Sequence, residues 1–541
     1  MAAVTESGSD ESYDFVIIGA GSAGCVLAER LTAGGRHSVL LIEAGPRDRN
    51  PWIHIPIGYA KLFNDPKVNW SYNSEPEPHL NGRTIFNPRG KVLGGSSSIN
   101  GLIYIRGQRE DFDAWSAAGN AGWSFDELLP YFKRAENQTR GPDQLHGTLG
   151  PLTVSDPSEP HPLCDAFIAG AAEAGFPRNG DFNGPSQEGA GYYQFTLKNG
   201  RRASTATAYL KPAMKRPGLS VVTEALVTRI LFAGRRARGV EYRRDGRLTT
   251  ALARGEVILS GGAINSPQVL QLSGVGPLAL LRRLEIAPVL PLEGVGRSYQ
   301  DHLQVRIVLK CSKAVTLNDE VASLRRKAIM GLRYLLYRKG PLTIGAGYAG
   351  GFFRTSEATD QRPDMQCHFL LFSLNKMGER LHPYPGFTSS CCQLRPESRG
   401  EVMAASPDPA APPAIRANFL AEEKDRRVHV AGLRLLRRIH ETPAMRAYVA
   451  AEAEPGPALQ SDDELLAYCR ERGSTIYHPS CSCRMGTDPF AVVDHRLKVH
   501  GLEGLRVVDA SVMPSVVSGN TNAAVIAIAE KASELILAER R

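Results

Sequence analysis

The sequence predicts an α/β fold: a doubly wound nucleotide-binding sheet assembled from separated segments, with an α+β domain of antiparallel sheet and helices inserted between them. Three observations carry that expectation. A strand, glycine turn, helix and second strand open the chain, and another apolar strand followed by a helical stretch closes it. The length of 541 residues exceeds what one ordinary hydrophobic core serves.

Taken in order, Tyr13 to Ile18 is a short apolar run feeding a glycine turn. Cys25 to Leu31 has helical spacing, and Ser38 to Ile42 is a second apolar strand, the opening β-α-β of a Rossmann-type sheet. Leu219 to Leu231 and Glu256 to Leu259 also read as strands. Val305 to Ala404 mixes strand-like runs with one long helical pattern from Asp319 to Tyr337. Leu505 to Val508 is the closing strand, and Ala523 to Ala538 the final helix. The expected boundaries give residues 12–155, 215–300 and 485–541 to the nucleotide-binding domain, and 156–214 and 301–484 to the substrate-binding domain. No internal repeat interrupts this order.

Composition narrows the class. Hydrophobic residues make up 42% and charged residues 22%, ordinary for a soluble globular protein. Only Met1 to Ser12, small and acidic, is expected to be irregular. No stretch approaches the roughly 18 apolar residues that a spanning helix needs, and no basic-then-apolar leader opens the chain, so no cleaved signal is expected. Nine cysteines lie scattered without a frame, which favours a reducing, cytoplasmic setting. A net charge of +8 is modest for this size; it reads as a solvated face, with no nucleic-acid partner expected.

The first motif is Gly19-Ala-Gly21-Ser22-Ala-Gly24, directly after a strand and opening a helix. A pyrophosphate needs close backbone approach, which glycine permits, and a helix N-terminus aimed at it. Glu43, 19 residues beyond Gly24, stands where an acid accepts hydrogen bonds from the adenosine ribose. Such a turn can also serve packing alone. Strand, helix and acid in register favour dinucleotide binding, without separating NAD from FAD.

Gly90 to Gly107, with Gly94-Gly95-Ser96-Ser97-Ser98, and Gly261 to Pro277, with Asn265-Ser266-Pro267, resemble the two signature stretches of the glucose–methanol–choline (GMC) oxidoreductases. Gly294 to His302, Tyr477 to Gly486, Val508 to Pro514 and Ser518 to Asn522 fit the same family. The resemblance runs from Tyr13 to about Leu537 with the motifs in order, and looks nearest to the choline dehydrogenase and bacterial alcohol dehydrogenase branch. It implies an FAD site along Gly19, Gly21, Ser22, Gly24, Glu43, Ala44, Arg89, Val92, Gly94, Gly95, Ser96, Asn100, Gly101, Leu102, Val227, Asp509, Ala510, Asn520, Thr521 and Asn522. Donors at Gly94-Gly95-Ser96 suit the negative charge of a reduced flavin, although a tight turn before a strand explains the same residues.

The resemblance also assigns chemistry. His478 matches the family's catalytic histidine, and taking a hydroxyl proton suits an imidazole. Asn520 matches a second active-site position that is His or Asn; an amide holds an alcohol oxygen but takes no proton. The implied reaction is oxidation of a primary alcohol to the aldehyde, with hydride passing to flavin N5. Electrons then go to a quinone-like acceptor, a dye or O₂. A hydroxynitrile-lyase-like enzyme, which keeps FAD without net redox chemistry, is the alternative. Where covalent relatives carry histidine before the motif's asparagine, this chain has Ile99, so noncovalent FAD is expected. The run Tyr348-Ala-Gly350-Gly351-Phe352 lacks the glutamate common in choline-type enzymes, which weakens a quaternary ammonium substrate, although Tyr348 offers a wall for an aromatic cage.

Three features are left over. Cys481-Ser-Cys483 has the wrong spacing for the usual metal or redox pair, so structural thiols and no metal are expected. Gly141 to Pro151, holding His146, resembles a family loop near the substrate entrance. Asp319 to Lys339 combines Leu324, Met330, Leu332, Leu335 and Leu336 with Arg325, Arg326, Lys327, Arg333 and Arg338. The favoured reading is an amphipathic helix packed on the substrate domain. The other is a peripheral contact with an anionic membrane.

Overall fold

The computed structural model describes residues 11–376 and 378–540. In chain order the main elements are β1 (Glu11–Ile18), α1 (Ser22–Thr32), β2 (Val39–Ile42), β3 (Gly189–Tyr192), β4 (Leu219–Val222), β5 (Ala225–Ala233), β6 (Arg236–Arg244), β7 (Arg247–Leu259) and α2 (Gly262–Leu272). They continue as β8 (Leu303–Cys311), α3 (Leu317–Ala322), α4 (Leu324–Tyr337), β9 (Ala349–Phe353), β10 (Met365–Leu370), β11 (Gly386–Gln393), α5 (Glu423–His440), β12 (Val449–Glu454), β13 (Ser474–Thr475), β14 (Leu505–Val507) and α6 (Asn522–Ala538). Met1–Asp10 of the segment expected to be irregular lie outside the described residues, and Glu11 and Ser12 already pair in β1.

Two sheets organise the molecule, as the expected fold class requires. The first runs β4-β2-β1-β7-β6-β5, with β14 also on β7. Strands β4, β2, β1, β7 and β14 are mutually parallel, whereas β7, β6 and β5 form an antiparallel meander. All four residues of β2 are buried, as a parallel strand covered on both faces requires. The second sheet runs β12-β8-β11-β10-β9-β3, with β13 on β8, and every pairing is antiparallel. Val430, Leu433, Leu436 and Ile439 of α5 join its core.

Several details depart from expectation. The run from Leu219 to Leu231 is two strands, because Glu224 adopts φ +58° and redirects the chain from the parallel to the antiparallel part of the sheet. Strand β7 begins well before Glu256, but its first residues are exposed and carry no apolar run. The pattern from Asp319 to Tyr337 is two helices, broken at Ser323, whose extended backbone and hydroxyl cap α4. Ala203, Ala206, Tyr209, Leu210 and Ala213, given by sequence to the substrate domain, pack instead in the core around the first sheet. Tyr209 reaches there to donate to Glu530 at 2.9 Å, a fully buried carboxylate that also pairs Arg30 and Arg134.

His146 does not line the cavity below. It is buried, its Nδ1 3.1 Å from Glu136 and its Nε2 2.9 Å from Asp181, while Arg106 donates to Glu136 at 2.8 Å. Burial disfavours its charge, but the bonds to Asp181 and Glu136 prevail and raise its pKa to about 9. A raised histidine pKa contributes stability in full below the ordinary value of 6.5, and loses it as pH rises through about 9. The melting-temperature gap between wild type and His146→Gln is therefore expected to be widest near pH 6 and to shrink towards pH 10. A gap constant across that range would show an uncharged His146.

Candidate active site

One cavity runs from the glycine turn after β1, past the N-termini of α2 and α6, to the wall of the second sheet. At its nucleotide end, Gly21 and Ser22 open α1, and Ser22 donates to Asn522 Oδ1 at 2.7 Å, fastening the first helix to the last. Gly95 lies against this turn: a Cβ there would stand 2.6 Å from Gly21 Cα, and its φ is +51°. Glu43 is buried at the end of β2, and its two oxygens accept from Ala20 N at 2.8 Å and Gly45 N at 2.9 Å. Burial raises its pKa to about 7, partly opposed by those bonds and by Lys91. Asp509 follows β14 and accepts from Gly262 N at 2.9 Å and Ser266 Oγ at 2.5 Å, capping α2.

At the other end, His478 and Asn520 meet, with Asn520 Nδ2 3.1 Å from His478 Nε2. Gln366 of β10 donates to Asn520 Oδ1 at 3.2 Å, which orients that amide with its N–H₂ towards the histidine. Behind His478, His302 Nδ1 lies 3.0 Å from His478 Nδ1, and His302 Nε2 lies 2.9 Å from Leu394 O. The carbonyl only accepts, so His302 carries its proton on Nε2. Burial drops the His302 pKa to about 4, so its Nδ1 is a bare acceptor. The proton between the rings therefore belongs to His478 Nδ1, and His478 Nε2 presents a lone pair to the cavity. Burial first, then the neighbouring His302, His368 and Arg89, hold His478 well below its ordinary pKa.

The backbone is held as firmly as the ring. Asp301 Oδ1 accepts from His478 N at 2.7 Å and His302 N at 2.8 Å, and Thr475 donates to Oδ2. Burial raises Asp301 to about 6, opposed by Thr475, Arg89 and the two backbone bonds. Tyr477, just before the histidine, has φ +72°, a left-handed backbone that this bonding sustains.

Two family models of the GMC oxidoreductases match, one over residues 13–304 and the other over residues 396–529. The chain belongs to that family. It is 45% identical over 97% of its length to an alcohol dehydrogenase [acceptor] of Pseudomonas putida, covering 96% of that protein. It is 44% identical over 99% of its length to a mitochondrial choline dehydrogenase of Mus musculus, covering 91% of it. Among solved structures, a pyridoxine 4-oxidase of Mesorbium loti superposes with TM-score 0.88 at 30% identity over 96% of this chain and 98% of that one. A formate oxidase of Aspergillus oryzae gives 0.92 at 27% identity over 98% and 99%.

The cofactor of this GMC oxidoreductase is FAD, and the cavity fits it. Helix N-termini and closely approaching glycines suit a pyrophosphate, the buried Glu43 offers carboxylate oxygens on the same wall, and polar groups near His478 suit a flavin edge. Of the expected site residues, Gly19, Gly21, Ser22, Glu43, Ala44, Arg89, Gly95, Ser96, Asn100, Gly101, Leu102, Val227, His478, Asp509, Ala510, Asn520, Thr521 and Asn522 line it. Gly24, Val92 and Gly94 do not. A Cβ on Gly24 would stand 1.9 Å from Gly19 O, so this glycine lets α1 close on the turn. Val92 packs with Ile53, Leu62, Val68 and Ile99, and Gly94 donates to Ala20 O at 2.8 Å.

Sequence reasoning missed His302, Gln366 and His368. Asp301-His302 stood in a quoted motif, but only the meeting with Leu394 reveals a role. Gln366 and His368 lie in β10, buried along its whole length, where no alternation marks a polar wall. His368 lines the cavity with neither ring nitrogen bonded to protein, and burial first lowers its pKa to about 3. Cys481 and Cys483 are free and buried.

Replacing Gly24 by valine is expected to push α1 off the turn. The purified variant should carry little FAD absorbance per chain and melt below wild type. Full flavin content at an unchanged melting temperature would show that the turn relaxes around a side chain.

Proposed function

We propose that this GMC oxidoreductase oxidises an uncharged primary alcohol to its aldehyde, with noncovalent FAD and with His478 as the base. The observation that carries the reading is the bonded series Leu394 O, His302, His478, Asn520, which leaves His478 Nε2 unprotonated at the cavity wall. An alcohol oxygen placed between Nε2 and Asn520 Nδ2 gives its proton to the first and accepts a bond from the second. Bound FAD supplies the acceptor for the hydride that leaves the carbinol carbon.

The low pKa of His478 suits this task. As the hydride departs, the hydroxyl becomes that of a protonated carbonyl, a much stronger acid than an alcohol, so a weak base that is neutral beforehand is sufficient, and the proton passes to His478 Nε2. His302 and Asp301 act as positioning residues: one fixes which nitrogen carries the proton, the other holds the backbone.

The cavity favours an uncharged substrate. Among the described residues its only acidic lining groups are Glu43 and Asp509, both engaged by backbone N–H groups. Tyr348 lies off the cavity and donates to Glu159 O at 2.7 Å, so it builds no cage for a trimethylammonium. This supports the alcohol dehydrogenase relative rather than the choline dehydrogenase as the guide to substrate. Electrons then pass to a quinone-like acceptor, a dye or O₂. The nine free, buried cysteines are consistent with a reducing, cytoplasmic setting.

His478→Ala is expected to slow alcohol-dependent flavin bleaching by at least about 10²-fold in anaerobic stopped flow, with FAD still bound. Near wild-type bleaching would remove His478 from the reaction. Cyanohydrin cleavage without any bleaching by alcohols would favour a lyase instead.

Ile99, buried on the cavity wall, offers no nucleophile to the flavin. Acid precipitation should therefore leave the yellow colour in the supernatant. Colour retained in the pellet would mean that another side chain forms a covalent link.

A further inference from the structure

Helix α4 is built the wrong way round for a packed amphipathic helix. Leu324 is 83% exposed, Ile329 54%, Leu332 56%, Leu335 65%, Leu336 60% and Tyr337 69%. These are six of the nine large hydrophobic residues that stand exposed among the described residues. Only Tyr334 is buried, donating to Gly200 O at 3.1 Å, with Met330 partly covered one turn earlier. At about 100° per residue, the face opposite Met330 and Tyr334 carries Leu324, Ala328, Ile329, Leu332, Leu335 and Leu336. Arg326 and Arg333 flank that face on one side and Lys327 on the other, Arg325 sits within it, and Arg338 at the C-cap lies over the Tyr334 ring.

No aspartate or glutamate occurs from Leu324 to Lys339. Arg333 is paired with Glu159 and Arg326 lies 3.9 Å from Glu320, but Arg325, Lys327 and Lys339 have no carboxylate partner among the described residues. An apolar ridge bordered by cations is what an acyl boundary beneath anionic headgroups accommodates. A second copy of the chain fits poorly, since pairing two such faces sets arginine and lysine against arginine and lysine. No helix of the described residues is long and apolar enough to cross a membrane, so the contact is peripheral.

We propose that α4 is a membrane-docking helix that lies in the surface of an anionic bilayer, its leucines inserted and its flanking cations on the headgroups. The expectation of a helix packed on its own domain is thereby replaced. Docking also has a consequence for the cavity. Met330 packs in the cluster of Leu317, Leu370, Phe372 and Leu374, and Leu370 is itself a cavity wall. The docking helix and the cavity therefore share one apolar layer.

The test is flotation of the holoenzyme with phosphatidylcholine vesicles, with and without about one-third phosphatidylglycerol, at low and high salt. Most of the protein should float with the anionic vesicles at low salt, and little with neutral vesicles. Arg325→Glu with Arg326→Glu should lower the partition coefficient at least about tenfold. Leu332→Ser with Leu335→Ser should lower it at both salt concentrations. Both variants should retain flavin content and bleaching by a short, water-soluble alcohol, which separates loss of docking from loss of fold or chemistry. Recovery in the soluble fraction under all conditions overturns the proposal. So does salt-insensitive flotation unaffected by either double variant, or a dimer in sedimentation that the leucine variant dissolves.

Discussion

Ser22 and Asn522 stand 500 positions apart and share a hydrogen bond of 2.7 Å. The rest of the site depends on that closure. It brings the N-termini of α1 and α6 to one cavity, so that their unpaired backbone N–H groups converge. The same closure places Asn520, two residues before α6, against His478 from the far end of the second domain. Glu530, about two turns further on, ties α6 to α1 through Arg30, to the helix Phe125–Ala135 through Arg134, and to Tyr209. A chain that must meet itself end to end therefore spends a fully buried carboxylate on securing the meeting.

Burial at the catalytic end does a different job. A histidine beside a free carboxylate would be pushed towards its cation and would lose its lone pair. Here the ring facing His478 is another neutral imidazole, and the nearby carboxylate of Asp301 is occupied by backbone N–H groups and Thr475. The acid thus stabilises the position of His478 without charging its ring. This separation of positioning from charging keeps a base neutral where an Asp–His pair would favour the protonated form.

Much of the nucleotide domain was legible because its signals are local. The apolar run before Gly19, the glycine turn and Glu43 after β2 lie within one β-α-β unit, and the structure has strand, turn, helix and second strand in that order. The catalytic pair was legible only through resemblance, since nothing local distinguishes His478 from other histidines. His302 escaped because its meaning rests on a carbonyl 92 residues away. Gly24 and Gly94 were read as cofactor contacts, but a glycine required for close approach looks the same whether a ligand or a backbone approaches it; Val92, read with them, packs in the apolar cluster of Ile53 and Ile99. The first half of β7 went unread because its opening residues, Arg247 to Thr249, are exposed and only small alanines are buried after them.

Helix α4 shows a further limit of periodicity. A stripe of leucines at helical spacing states that one face avoids water, but not what covers it. Sequence therefore left two covers open, the protein's own core and a bilayer. The break at Ser323 tips the balance, because it starts a new helix whose direction need not follow α3. Tyr334 and Met330 then face the protein, and the richer apolar stripe is turned away from it. In water alone that orientation exposes apolar area that rotation about the helix axis would hide, and only an external cover recovers the loss. The cations bordering the stripe restrict the choice of cover to one with negative charge at its rim.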